Sequence, residues 1–320
     1  MSNNEELAIE VQNLSFNYGG PPILKDVNLK LHKGTRCLLV GANGAGKSTL
    51  LTILAGKRMV RDKVLIFGRD SFKNPPPGIT YLGTEWANNP IVRGDVQVST
   101  LLSNMNGDKY PERVNELIQI MDINPNWRMH QVSDGQRRRV QLVLGLIEPW
   151  ILLLMDEVTV DLDVLVRSDL LEFLKKETER RNATIVYATH IFDGLGDWPT
   201  HVTHIKRGSI VALHDFNTNF TELDDMISQL RQLNDAQTIN SNLIRSQSRR
   251  NMDSPLLKVV EKWLREDLRE IRLLQAEERK KSEHERDKIL LNEEKPTTKW
   301  DILSDNMDKH GDKYYNYWNR

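Results

Sequence analysis

Apolar residues fall in two rhythms along this chain, and each rhythm predicts a different kind of element. Arg36 to Val40, Ile79 to Leu82, Ile151 to Met155 and Thr184 to Ala188 are short and apolar at nearly every position, as strands buried on both faces are. Lys63 to Gly68 reads as a further strand. Residues Leu7 to Leu31 instead alternate apolar with polar around Gly19-Gly20-Pro21-Pro22, which predicts strands joined by a turn. A three- and four-residue spacing replaces this from Val98 to Met129, with Leu101, Leu102, Val114, Leu117, Ile118 and Met121 on one side. The pattern is that of a helical insertion between two halves of a sheet domain. Further helices are predicted over Leu50 to Ala55 and Gln141 to Leu146, and Pro75-Pro76-Pro77-Gly78 is a rigid break.

One stretch between a predicted strand and a predicted helix carries its own chemistry. Gly41-Ala42-Asn43-Gly44-Ala45-Gly46-Lys47-Ser48-Thr49 matches the phosphate-loop pattern G-x-x-x-x-G-K-[ST] at every fixed position. Its glycines let consecutive N–H groups face a polyphosphate at the positive end of a helix. Lys47 would reach the outer phosphates and Ser48 would ligate Mg²⁺. Downstream, the apolar run at Ile151 ends in Asp156-Glu157, which assigns Asp156 to the metal and Glu157 to polarising the attacking water. Ser133-Asp134-Gly135-Gln136 opens a basic helix and offers a hydroxyl and free N–H groups to an anion, while Arg137, Arg138 and Arg139 read as a solvated helix face. His190 ends the last apolar strand at the sheet edge where ligands bind in such folds. Tyr18 is either an adenine-stacking ring or a surface-edge tyrosine.

Composition trims the alternatives. The 320 residues carry a net charge of −1, so nothing in the bulk draws the chain to nucleic acid or anionic membrane, and no direct nucleic-acid contact is expected. Cys37 is the single cysteine, which excludes a disulfide framework and fits a reducing compartment. The first residues are acidic without an apolar core, unlike a signal peptide, and no apolar run is long enough to span a bilayer.

Together these residues resemble the ATP-binding cassette (ABC) ATPases over roughly residues 7–215. The resemblance implies an α/β nucleotide-binding domain made of a phosphate-loop core sheet, an antiparallel β subdomain and a helical subdomain at about 87–148, followed by a C-terminal helical extension. Gly41 to Thr49 looks like Walker A and Ile151 to Asp156 like Walker B, with Glu157 as catalytic glutamate. Ser133 to Gln136 is similar to the signature motif, Val160 to Asp163 to the D-loop, His190 to the switch histidine and Tyr18 to the A-loop aromatic. The implied ligands are ATP and Mg²⁺, held by Tyr18, Gly41, Asn43, Gly44, Ala45, Gly46, Lys47, Ser48 and Thr49. Gln136 and Asp163 are further nucleotide-binding positions, and Ser133 and Gly135 would cap the ATP of a second cassette, so two chains would close head-to-tail on two ATP molecules.

Three positions depart from the family pattern. Val132 replaces a leucine, and Thr84 stands where a glutamine linked to membrane subunits is expected, which weakens a transporter reading. Asp134 replaces a glycine and brings a carboxylate toward the partner's triphosphate. At roughly 6 Å and an effective dielectric near 20 that repulsion would cost about 3 kcal/mol, so the carboxylate should point away or be balanced by Arg137 or Arg138. Gly83 to Trp86, Trp127 to His130, Ser133 to Arg139, Asp156 to Asp163 and Tyr187 to Leu195 look most like the stand-alone cassettes typified by the fungal factor associated with the CCR–NOT complex. That implies a non-transporter regulatory ATPase of cytoplasm or nucleus, with CCR–NOT subunits as partners by resemblance alone. The ATP-binding subunit of a membrane transporter and a scaffold that hydrolyses little are the competing readings.

The ATPase domain is expected at 7–221, a polar linker at 222–253 and a charged helical extension at 254–320. Leu256, Leu257, Val260, Leu264, Leu268, Ile271 and Leu274 mark an apolar stripe, which suits a helix folded back on the cassette or one that docks a partner. The aromatic-rich end, Trp300 to Trp318, selects no partner.

Overall fold

The computed structural model describes residues 6–83, 94–192, 194–196, 198–216, 218, 220–228 and 254–292. Thr84, the expected 229–253 part of the linker and the aromatic end of the tail lie outside them.

The core is a six-stranded sheet whose order, β10-β9-β3-β8-β7-β6, places β3 (Arg36–Val40), β6 (Ile79–Leu82), β7 (Leu152–Asp156), β8 (Thr184–Ala188) and β9 (His201–Lys206) in parallel. Only β10 (Ser209–Asp215) runs antiparallel, against β9. Successive residues of the central strands feed opposite layers: Leu38, Val40, Leu153, Met155, Ile185 and Tyr187 enter one apolar cluster. Cys37, Leu39, Leu152, Leu154, Val186 and Ala188 enter the other. Two covered faces explain the unbroken apolar runs of these strands.

A second sheet, β2-β1-β4-β5, is antiparallel and accounts for the alternating N-terminal region: β1 (Leu7–Phe16), β2 (Leu24–His32), β4 (Lys63–Ile66) and β5 (Arg69–Asp70). Its buried face joins α1 (Lys47–Leu54) in the second cluster. The insertion between β6 and β7 contains α2 (Val98–Asn104), α3 (Pro111–Ile120) and α4 (Asp134–Leu146), with Val98, Leu102, Val114, Leu117 and Met121 buried. Helix α4 begins at Asp134, the opening expected at Ser133 to Gln136, and runs on through Gln141; Ser133 and Gln136 close a reciprocal cap, in which Ser133 Oγ accepts the Gln136 N–H at 3.2 Å and Gln136 Oε1 accepts the Ser133 N–H at 2.9 Å. Helix α5 (Val164–Arg181) starts the same way, with the Asp163 carboxylate accepting the Val166 N–H at 3.0 Å.

After α6 (221–228) comes the helix α7 (Pro255–Asn292), and the chain divides into two compact units, Met1–Asp267 and Leu268–Arg320. Within the first unit Leu256, Val259, Val260 and Trp263 are buried. Trp263 stacks on His204 with centroids 5.0 Å apart, and Asp267 accepts from His204 Nε2 at 2.8 Å. The beginning of α7 is therefore part of the cassette core. Beyond it, Leu268 and Leu273 are exposed.

Candidate nucleotide site

Strand β3 delivers the chain into the loop Gly41 to Gly46, and α1 begins at Lys47. Gly41 is required by close approach, since a Cβ there would lie 2.2 Å from the Ile205 carbonyl oxygen. Gly46 is required by conformation: its φ is +107°, and a Cβ would meet Leu24 at 2.7 Å. Lys47 is almost wholly buried, and its ammonium donates to the Gly41 carbonyl at 2.8 Å and to that of Ala42 at 3.2 Å. Burial lowers its pKa, opposed by the charges of Glu157 and Asp156. The loop so formed presents backbone N–H groups and one cation at a helix N-terminus, a setting for phosphate.

The end of β7 supplies the acidic side. Asp156 is buried, and its Oδ1 has no hydrogen-bond partner among the described residues, whereas the Tyr81 hydroxyl lies 3.5 Å from Oδ2. An orphaned buried carboxylate oxygen beside the Ser48 hydroxyl is the donor set a hard divalent cation takes. Glu157 follows in the left-handed region, φ +52°, unusual for a residue with a side chain, and its N–H donates to the Ala188 carbonyl at 3.0 Å. That turn aims the carboxylate at His190, whose Nε2 lies 3.1 Å from Oε1 and whose N–H donates to Oε2 at 3.3 Å. Burial pushes the Glu157 carboxyl up, against His190 and Lys47, which pull it down.

These residues meet in one cavity of about 340 Å³ lined by Ile23, Asn43, Gly44, Gly46, Lys47, Ser48, Thr49, Asp156, Glu157 and His190. A second, of about 540 Å³, shares Ile23 and Gly44 and extends past Tyr18, Pro21, Pro22, Lys25 and Arg207. Tyr18 is 55% exposed, braced edge-on by Phe16 at 4.9 Å and with the Arg58 guanidinium 5.2 Å from its ring centre. A phosphate end and an aromatic end thus adjoin.

Ser133, Gly135, Gln136 and Asp163 line neither cavity. Ser133 is exposed at the α4 cap, and Asp163 pairs with Arg139 while its backbone N–H contacts hold its carboxyl below the usual range. The Asp134 side chain is 92% exposed and paired with Arg137, which also donates to the Val132 carbonyl at 3.1 Å. The solvated arginine face is corrected at Arg138, which is buried and donates to the carbonyls of Gly83 at 2.9 Å, Val158 at 3.3 Å and Glu157 at 3.4 Å. Helical spacing could not show this, because the carbonyls it meets come from two distant strand ends. Ile23 and Tyr81 were likewise missed, and no motif marks them.

A phosphate loop after β3 with an acidic pair at the end of β7, the parallel strand two places along the sheet, defines a phosphate-loop nucleotidase. A family profile described as ABC transporter matches residues 24–160. CCR4-associated factor 16 of Saccharomyces cerevisiae is 47% identical over 239 residues, 68% of this chain and 83% of that protein. ABC transporter I family member 21 of Arabidopsis thaliana is 44% identical over 274 residues, 81% of this chain and 86% of that protein. A bacterial ABC transporter cassette solved as a dimer superposes with a TM-score of 0.57 at 20% identity, covering 66% of this chain and all of that one, which bears on the fold. The chain belongs to the ABC family, and within it to the single-cassette subfamily of these relatives: it binds ATP and hydrolyses it. Among the described residues no helix is long and apolar enough to cross a membrane.

Proposed function

We propose that this cassette hydrolyses ATP only as half of a head-to-tail pair, and that the pairing and release of two chains regulate a larger assembly. The observation that carries this is the separation of the parts. Lys47, Ser48, Asp156, Glu157 and His190 share one cavity, while the capped helix start at Ser133 stands exposed elsewhere on the chain. Each half of the chemistry needs the other from a second copy.

In this reading the loop N–H groups and Lys47 hold the β- and γ-phosphates, and Tyr18 stacks on adenine. Ser48 and Asp156 would hold Mg²⁺, which when bound neutralises phosphate charge and orients the terminal phosphate. Glu157 accepts a proton from the attacking water, and His190, 3.1 Å from Oε1, keeps the carboxylate facing the γ-phosphate. Ser133 Oγ, the Gly135 N–H and Gln136 cap the triphosphate of the partner, and Asp163 fixes the loop leading into α5. Support for pairing comes from the dimeric bacterial cassette of the same fold, and support for a regulatory role from the yeast relative's name as a CCR4-associated factor. CCR–NOT subunits are the partners proposed here, in cytoplasm and nucleus.

Sedimentation velocity of the full chain tests the pairing, with Mg²⁺, with and without ATP, in wild type and Glu157→Gln. Pairing that needs ATP and persists in Glu157→Gln supports the reading; a monomer under all four conditions refutes it. Purification of the ATP-trapped variant from cells then tests the assembly. Stoichiometric recovery of a polytopic membrane protein in place of CCR–NOT subunits would assign the chain to a transporter.

A further inference from the structure

The nucleotide-facing residues do not use the most deeply placed cation of α4. Arg138 leaves the helix one turn after the Ser133 cap and is only 8% exposed. Four of its contacts are fixed: the carbonyls of Gly83 at the end of β6, of Glu157 and Val158 just after β7, and the Gln141 carboxamide oxygen on its own helix. Gln141 in turn donates Nε2 to the Gly83 carbonyl at 3.1 Å. Around this fork the same loop is pinned again, by Thr159 Oγ1 against the buried Tyr187 hydroxyl at 2.5 Å. A guanidinium offers five N–H donors in a rigid plane, so one side chain can hold carbonyls from separate segments at set distances.

Burying that charge is costly, and the cost is met by carbonyl dipoles and by the nearby Asp161 and Asp156 carboxylates rather than by a direct ion pair. A leucine would fill such a space at lower cost. What the arginine adds is a connection: it holds the backbone of Glu157, itself in the left-handed conformation, to the helix that begins at Ser133.

We propose that Arg138, seconded by Gln141, is a positioning residue that ties the Glu157 carboxylate to the helix engaged by the second cassette. Resting on the paired reading above, it makes each chain's base answer to whether that chain's own α4 cap is seated on the partner's ATP. A displacement of α4 on pairing passes through the Arg138 fork to the Glu157 and Val158 carbonyls. The two ATP sites of a pair are thereby coupled through each protomer as well as across the interface.

The test is steady-state ATP hydrolysis by the full chain in wild type, Arg138→Gln and Arg138→Lys, with ATP affinity from titration of a fluorescent ATP analogue and with thermal melts. Arg138→Gln is expected to lower kcat about 10–100-fold while affinity stays within about twofold, and to drop the Hill coefficient for ATP toward one. Arg138→Lys keeps the charge and one donor direction, so its kcat should fall between wild type and Arg138→Gln. Should Arg138→Gln fail to fold, Arg138→Lys carries the test: kcat reduced about threefold or more at unchanged affinity supports the clamp, and wild-type kcat overturns it. Equal loss of kcat and affinity in either variant also overturns it, since that is the mark of general damage. A wild type that pairs and hydrolyses ATP beside an unaffected Arg138→Gln sinks the clamp alone, whereas a wild type that never pairs sinks the paired reading and the clamp together.

Discussion

Replacing Trp263 by alanine measures how far the start of α7 belongs to the cassette. The indole is 6% exposed and stacks on His204 at 5.0 Å, on His214 at 5.5 Å and on Phe220 at 5.8 Å. Its Nε1 donates to Glu222 Oε2 at 2.8 Å. Truncating a buried tryptophan to alanine costs about 3–5 kcal/mol through lost transfer energy and the cavity left behind. Here the cavity would open beside Asp267, whose carboxylate is 2% exposed and is held by His204 at 2.8 Å and Lys206 at 3.4 Å, so water would reach a buried charge cluster. For a domain of roughly this size each kcal/mol lowers Tm by about 2–4 °C, which predicts a fall of about 6–20 °C. The assay is calorimetry of the full chain, with Leu273→Ala as control. Leu273 is 65% exposed, and its truncation should stay within about 0.5 kcal/mol. Because Trp263 lines neither cavity, ATP turnover measured well below the melting range should remain within about twofold of wild type. A Tm shift under 2 °C, or a separate early transition for the helix, would refute the assignment of residues 255–267 to the cassette core.

Glu157→Gln should slow ATP turnover about 10²–10⁴-fold, the range for a lost general base. Burial raises the carboxyl's pKa in the fold, so its favourable contribution is complete below the usual carboxylate range and is lost as pH rises through the raised value. The glutamine variant should therefore melt above wild type at neutral pH and converge with it near about pH 4; a lower melting point at neutral pH contradicts the sign. Gly41→Ala drives a Cβ to 2.2 Å from the Ile205 carbonyl and should weaken ATP binding about tenfold or more by nucleotide titration, an idea that unchanged affinity would end. If the chains pair as proposed, Asp134→Gly takes a carboxylate away from the neighbourhood of the partner's triphosphate; at roughly 6 Å and dielectrics between 80 and 20 an unbalanced charge there is worth about 0.7–2.8 kcal/mol, or about 3–100-fold tighter ATP-dependent pairing by sedimentation. No tightening would mean that the Arg137 pair already cancels it. Burial holds the Cys37 thiol up at about 12, so an alkylating reagent should label it only as the protein unfolds; prompt labelling of the native chain at neutral pH would contradict this.

What could be read in the chain and what could not divide along a physical line. Strands β3, β7 and β8 announced themselves because covering both faces of a parallel sheet demands apolar residues at every position. The phosphate loop was legible because its constraints are local: a bond-by-bond wrap, with Gly46 at φ +107° and Lys47 opening the helix. Glu157 and His190 were legible as strand ends, and their 3.1 Å meeting follows from the β7–β8 register that carries Asp156 beside Ala188. Arg138 was misread because burial of a cation is decided by its acceptors, and these arrive from Gly83 and from Glu157 and Val158, far away in sequence. The tail shows the same limit. Its apolar stripe at Leu256, Val260 and Leu264 was plain, but the stripe runs on unchanged through Leu268, Ile271 and Leu274, whereas core membership in the fold extends only to Asp267. What holds its first part is the stack of Trp263 with His204, His214 and Phe220, assembled from β9, β10 and the residue before α6, and no periodicity within one helix encodes partners on three other segments. The same reasoning explains why the resemblance, and not spacing, had to supply the proposed second half of the ATP pocket. A surface completed by another molecule leaves in its own chain only a well-capped, exposed helix start, and Ser133 with Gln136 would look the same if its sole task were to begin α4.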